Sequence, residues 1–342
     1  MAEFGWPGGD IPGDLEFRHE PPKPIVDSLR KSLAGDLPPV LEPTAQIHAL
    51  FSKDGPAGGY RLSMTDGSWF IRVTSRWGQP DLERRLVQHL VDRGVAANPL
   101  AVAGAELTWE RRRFRVDVRP LVLGRHFTGS FAELSSLAST LAACHRALAI
   151  FPGADQVRRA AVDRNRRLEE VRSILGRSLA AGDFKAFGEH AAWAAQHGEW
   201  LTTLVERYAP RLDERPDAQC IHGEIHPGNV IFEDNDGTAV LVDFEESAHV
   251  YAPPAWDLAW LVQRFCLRDG PSPSLLRQRL DAVTEAYGAP LPALPEMMRQ
   301  AAWHSMVNIV SQYVFAHLLT PRSELEKFVH LEQQAVKYEG SV

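Results

Sequence analysis

The chain has 342 residues, of which 44% are hydrophobic and 24% charged, so it reads as a soluble globular protein with enough chain for two lobes. Its formal net charge of -7, with acidic and basic residues mixed along its length, argues against nucleic acid as a partner, since that binding rests on a basic footprint. Three widely separated cysteines in apolar settings, Cys144, Cys220 and Cys266, fit reduced buried thiols. No signal-peptide pattern opens "MAEFGWPGGDIPGD" and no apolar run nears the roughly 20 residues of a membrane span, so a cytoplasmic protein is expected.

Residues 1 to 24 are rich in Gly, Pro and charge and read as a loose extension, followed by a short helix in "PIVDSLRKSLAG" that stops at its glycine. Three runs rich in aromatic and branched residues come next, "QIHALF", "GYRLSM" and "SWFIRVT". The turns "SKDGPAG" and "TDG" between them predict antiparallel strands joined by hairpins. In "PDLERRLVQHLVDRGV", Leu82, Leu86, Leu90 and Val91 share one face of a helix that begins near Pro80 and ends at Gly94. "ELTWERRRFRVDVRPLV" returns to strand character around the turn "WERRR". From residue 130 helices dominate: "FAELSSLASTLAACHRAL", "VDRNRRLEEVRSILGRSLA", "FKAFGEHAAWAAQHGEWLTTLVERY", "SLLRQRLDAVTEAYG" and "PEMMRQAAWHSMVNIVSQYVFAHLL". The chain thus divides into an extension at 1–40, a small lobe at 41–118 and a large lobe at 119–342.

One stretch interrupts the helices. "QCIHGEIHPGNVIFEDNDGTAVLVDFEES" reads as strand, polar loop, strand, an "EDNDG" turn and a further strand. The returning strand "AVLV" delivers Asp243 at its end, and a tight hairpin brings that carboxylate beside Asn229. An amide oxygen and a carboxylate oxygen are hard ligands that suit Mg2+. Glu224, five residues before Asn229, faces the same opening. A carboxylate, an Asn, a hairpin and then Asp-Phe is the order in which phosphoryl transfer places its base and two metal ligands.

Other readings of the same residues stay open here. His226, four residues after His222, is either hydrogen-bonded scaffold or a metal ligand. The H-x-E at 222 to 224 begins like a zinc deaminase signature, but no P-C-x-x-C follows. An iron site could be assembled from His222, Glu224 and His249, at the cost of leaving Asn229 and Asp243 unexplained. Glu245 and Glu246 are either solvated or make an acceptor pocket acidic. Trp256, Trp260, Trp303 and Tyr313 are either core at helical spacing or a cage for a cationic acceptor.

"HGEIHPGNVIF", "LVDFEES" and "PPAWDLAWL" resemble the aminoglycoside phosphotransferase and choline kinase family, whose loop usually reads H-G-D-x-x-x-x-N, followed by a D-F strand end and a D-L-A helix start. "LASTLAACHRAL" is similar to a family helix and "VDVRPLVLGR" to its hinge, so the likeness spans roughly residues 45 to 320. It implies an α+β, bilobal protein-kinase-like fold, with a small antiparallel-sheet lobe carrying one helix and a larger, mainly helical lobe. ATP and Mg2+ would sit between the lobes, and the γ-phosphoryl group would pass to a hydroxyl of a small molecule such as an amino sugar, an aminoglycoside or choline.

By the same resemblance Glu224 is the base, Asn229 and Asp243 hold Mg2+, and Arg72 contacts phosphate, oriented by Glu83. His222 is structural, Asp257 buttresses the loop, and the backbone near Arg119 and Leu121 receives the adenine edge, Pro120 having no N–H. The chain departs from the family twice. Glu224 replaces the usual aspartate, and its extra methylene moves the carboxylate by roughly 1.5 Å. That makes it either a lengthened base or the mark of a nucleotide-binding pseudokinase. Arg72 replaces the commoner lysine, but it stays charged and can fork onto two oxygens. The loop "SKDGPAGGY" lacks the G-x-G-x-x-G spacing, yet its backbone could still lie over phosphates.

Overall fold

Strands β1 (Gln46–Ser52), β2 (Gly58–Met64), β3 (Gly67–Thr74), β4 (Val102–Trp109) and β5 (Arg112–Pro120) form one antiparallel sheet in the order β1-β2-β3-β5-β4. They lie in a computed structural model that describes residues 20–339 apart from 38, 39, 41, 43, 53, 54, 66, 77, 210 and 317–321. The predicted "WERRR" turn is a two-residue connection in which Glu110 (φ 47°) and Arg111 (φ 64°) take the left-handed conformation that hairpins of matching twist require. One face of the sheet is covered by helix α1 (Lys23–Leu33), whose Ile25, Leu29 and Leu33 enter the same core as Tyr60, Leu62, Ile71, Val116 and Val118. The second half of the presumed extension therefore belongs to the small lobe, and residues 1–19 lie outside the described residues.

Helix α2 (Pro80–Asp92) has the expected proline at its start. It buries Leu82, Leu86, Val87 and Leu90 in the core of the large lobe, where they meet Leu134 and Leu137 of α3 (Phe131–Leu148). Helix α3 opens on a capping box in which Ser130 and Glu133 satisfy each other's backbone N–H groups, so its start is fixed by sequence alone.

Helix α4 (Ala154–Ala180) begins earlier than its apolar spacing suggested. The single helix expected over residues 184 to 208 is broken. Gly188 sits at φ 55° within a 3-10 turn, and α5 (Ala191–Gln196) and α6 (Gly198–Arg207) follow separately. Beyond α7 (Ala255–Leu261), α8 (Pro273–Tyr287) and α9 (Pro295–Ala316), a helix not foreseen in the sequence, α10 (Arg322–Glu339), buries Leu325, Phe328 and Leu331.

Short strands build the seam beneath the sheet: β6 (Gly124–Arg125), β7 (Gln219–Cys220), β8 (Val230–Glu233), β9 (Ala239–Leu241) and β10 (Tyr251–Ala252). β8 pairs with β6 and β9, and β7 with β10, which frames the polar loop between β7 and β8. The three cysteines are buried free thiols. No described helix is long and apolar enough to cross a membrane.

Candidate active site

The loop that runs from β7 to β8 is anchored mainly through its backbone. Asp257, fully buried in the first turn of α7, accepts the N–H groups of His222 at 2.9 Å and Gly223 at 2.8 Å. Its carboxylate also lies 3.0 Å from His145 Nε2, whose other ring nitrogen meets the Tyr287 hydroxyl at 2.8 Å. Trp256 Nε1 donates to the Gly223 carbonyl (3.0 Å), and Ser247 Oγ to that of His222 (2.7 Å). His222 donates from Nε2 to the Val242 carbonyl (3.1 Å) and accepts the Glu224 N–H at Nδ1 (3.4 Å). Burial lowers its pKa, so it is a neutral scaffold residue.

The loop turns at Gly223, where φ is 91° and an added Cβ would stand 3.2 Å from Glu246 Cβ. Gly223→Ala should therefore cost about 1–3 kcal/mol, read as a lower urea midpoint, because an L side chain there is strained and crowded.

Asn229 ends the loop. Its Nδ2 donates to the Glu224 carbonyl at 2.9 Å, which leaves the amide oxygen for a cation, and the Val242 N–H donates to the Asn229 carbonyl at 3.0 Å. That second bond ties Asn229 to the strand end bearing Asp243, a non-glycine residue at φ 61°. An amide oxygen and a carboxylate are hard donors that suit Mg2+, and Asn229 and Asp243 would be the residues to hold it. Burial works against the Asp243 charge, but Arg72 and then Arg119 outweigh it and keep the carboxyl below its ordinary range.

The Glu224 side chain keeps 47% of its surface open. Burial, then the Glu246 and Asp243 charges, push its carboxyl upward, and solvent reaching the exposed half moderates the shift. His226 accepts the Gly228 N–H at Nδ1 (3.0 Å) and brings Nε2 to 3.9 Å from Glu224. Burial and nearby cations hold it neutral. Among the described residues no group of three or more His, Cys, Asp or Glu side chains is placed to hold a metal ion, which removes the geometric basis for an iron centre built on His222, Glu224 and His249.

Two expected partnerships differ. Arg72 does not pair with Glu83; it forks, Nη1 to Asp243 Oδ1 at 2.5 Å and Nη2 to Glu245 Oε2 at 2.7 Å. Glu83 instead receives Arg115 Nη2 at 2.5 Å, and Arg119 Nη2 stands 3.6 Å away. Arg115 Nε also reaches Asp117, whose Oδ1 accepts the Gly104 N–H at 2.9 Å. The Leu121 N–H is engaged too, donating to the Ser68 carbonyl at 2.9 Å, while Arg119 is registered opposite Phe70 in the sheet.

Glu245 and Glu246 are neither solvated nor free acids. The first is held by Arg72 and the second by Arg164. Trp256, Trp260 and Trp303 are buried in the large-lobe core, so they form no cage. Arg115, Asp117 and Arg164 were missed in the sequence, and Glu245 was read there only as a solvated or acceptor-pocket acid. The first two carry a signal: "RFRVDVRP" alternates charged with apolar residues, and the charged face points inward under α2.

Residues 59–296 match the phosphotransferase enzyme family. The fold is similar to that of spectinomycin phosphotransferase APH(9)-Ia in its AMP-bound complex, at 16% identity over 91% of this chain and 98% of that one, with a TM-score of 0.59. It is also similar to a thermostable mutant of aminoglycoside phosphotransferase APH(4)-Ia, at 12% identity over 92% and 100% of the chains and a TM-score of 0.52. A sequence comparison with curated proteins finds no match.

Proposed function

The chain belongs to the phosphotransferase enzyme family, and from that premise we propose that it transfers the γ-phosphoryl group of Mg2+-bound ATP to a hydroxyl of a small molecule. The observation that carries this reading is the Val242 N–H bond to the Asn229 carbonyl, which ties Asn229 to the strand end bearing Asp243, whose charge also acts on the Glu224 carboxyl. When bound, Mg2+ would neutralise developing phosphate charge. The chain's own groups do the rest. Arg72 brings a fixed cation to the phosphates, and Glu224 accepts or orients the acceptor's hydroxyl proton. The Asp257 anchor keeps that carboxylate's backbone in place.

A nucleotide donor is supported by the similar spectinomycin phosphotransferase, solved with AMP and with ADP and spectinomycin. The acceptor is a small alcohol. A cationic acceptor would find Glu245 and Glu246 already paired with arginines, so Glu224 is the carboxylate best placed to meet it.

The test is nucleotide consumption with Mg2+ across amino sugars, aminoglycosides, choline, ethanolamine and sugar alcohols. Glu224→Gln should reduce turnover by about 10²- to 10⁴-fold, the usual contribution of a general base, while nucleotide still binds. Nucleotide binding with no acceptor turned over would favour the pseudokinase reading, and no nucleotide binding at all would sink both.

A further inference from the structure

We propose that Glu245 is the positioning residue for Arg72, taking the place of a helix glutamate in holding the guanidinium that meets the nucleotide phosphates. The proposal rests on the phosphotransferase reading above. Arg72 and Glu245 are joined by a 2.7 Å bond between Nη2 and Oε2, and only 22% and 16% of their side-chain surfaces are exposed.

Charge explains why Glu83 does not serve. Arg115, Arg119, Glu83 and Asp117 are all nearly fully buried between the sheet and α2. Their two positive and two negative charges cancel, with Arg115 on both carboxylates and Arg119 on Glu83. Adding Arg72 to that quartet would leave an uncompensated cation in a desolvated space, which is strongly unfavourable. Arg119 occupies the electrostatic role at Glu83 that a strand β3 cation would otherwise take.

Arg72 shares the sheet face of that quartet but turns its two terminal nitrogens away from it, to Asp243 and Glu245. The strand β3 register sets it across from Gly59 on β2 and Asp117 on β5, which fixes the root of its side chain in the middle of the sheet. Its two terminal nitrogens then divide between two carboxylates. A cation shared by Asn229 and Asp243 would compete with Nη1 for Asp243. The Nη2 bond to Glu245 does not involve that carboxylate, so it retains the guanidinium at the cleft through the exchange. A positively charged side chain with one anchored nitrogen presents its remaining N–H groups to phosphate at little further cost in ordering.

The full chain can be tested with a fluorescent trinitrophenyl nucleotide and Mg2+, alongside thermal melting and steady-state kinetics. Glu245→Gln should raise the nucleotide Kd and KM together by about 10-fold, with kcat within about threefold of wild type. Glu245→Asp, which retains the charge, should recover part of the loss. Glu83→Gln should show itself first as a lower melting temperature. If Glu245→Gln binds nucleotide as tightly as wild type, or loses only thermal stability, the inference is overturned while the phosphotransferase reading stands. It is equally overturned if Glu83→Gln, still folded, is the variant that loses nucleotide. A wild type that binds no nucleotide overturns both.

Discussion

Asp257→Ala is expected to lower the unfolding free energy by about 3–5 kcal/mol, visible as a large fall in the denaturant midpoint. The carboxylate is fully buried, and its oxygens serve the N–H groups of His222 and Gly223 and the ring of His145. Alanine would leave two backbone donors and an imidazole nitrogen without partners in a space that water does not reach. A buried donor without an acceptor costs about 1–3 kcal/mol, and three such groups lose part of that sum to relaxation. Against a typical total stability of about 5–15 kcal/mol, the loss is enough to leave the variant marginal.

Asp257→Asn keeps the shape and one acceptor oxygen, so it should lose less. Any folded fraction of either variant should also turn over slowly, since the backbone before Glu224 has lost its tether. An alanine variant melting within about 1 kcal/mol of wild type would refute the anchoring role.

How far the sequence could be read follows from which interactions are local. The limits of α3 were legible because Ser130 and Glu133 form a capping box within four residues. The β4–β5 turn was legible for the same reason. The strand end bearing Asp243 is tied to Asn229 through the Val242 N–H, because a short hairpin leaves a chain little freedom over so few residues.

Glu83 was misassigned for a different reason. Three arginines, at positions 72, 115 and 119, were available to it, and spacing alone cannot rank ion-pair partners across a sheet. The choice depends on the charge balance of the whole buried quartet, which is a property of the fold. Alternation in β5 would ordinarily place charges outward; here α2 covers that face, and both faces of the strand are buried. The break at Gly188 was hidden because the flanking residues continue an apolar helical pattern, and the glycine's left-handed φ is set by packing, where an added Cβ would strike the Tyr313 ring at 2.5 Å. Glu245 looked like a solvated acid because its partner lies 173 residues away.

Asp243→Asn should reduce phosphoryl transfer by about 10³-fold, roughly 4 kcal/mol of transition-state stabilisation, while leaving the melting temperature close to that of wild type. The two effects separate for a physical reason. Asparagine tolerates the left-handed backbone at φ 61° and keeps one oxygen that can accept from Arg72, so the fold sees little change. What disappears is the charge that a divalent cation needs. Removing that charge loses the Arg72 ion pair but relieves its repulsion with Glu224, and Arg72 keeps its bond to Glu245, so the two effects offset each other.

The variant carries a pH signature as well. The Asp243 charge is one of the causes raising the Glu224 carboxyl, and a base must be ionised to act, so activity rises with pH through that titration. With the charge gone, the rise in residual activity should move to lower pH. A variant that keeps wild-type turnover would remove Asp243 from the metal site. A lost activity accompanied by an equally large loss of stability would instead make its role structural. The geometry, with a strained carboxylate pinned by an arginine beside other acids, is that of a position whose charge serves the reaction more than the fold.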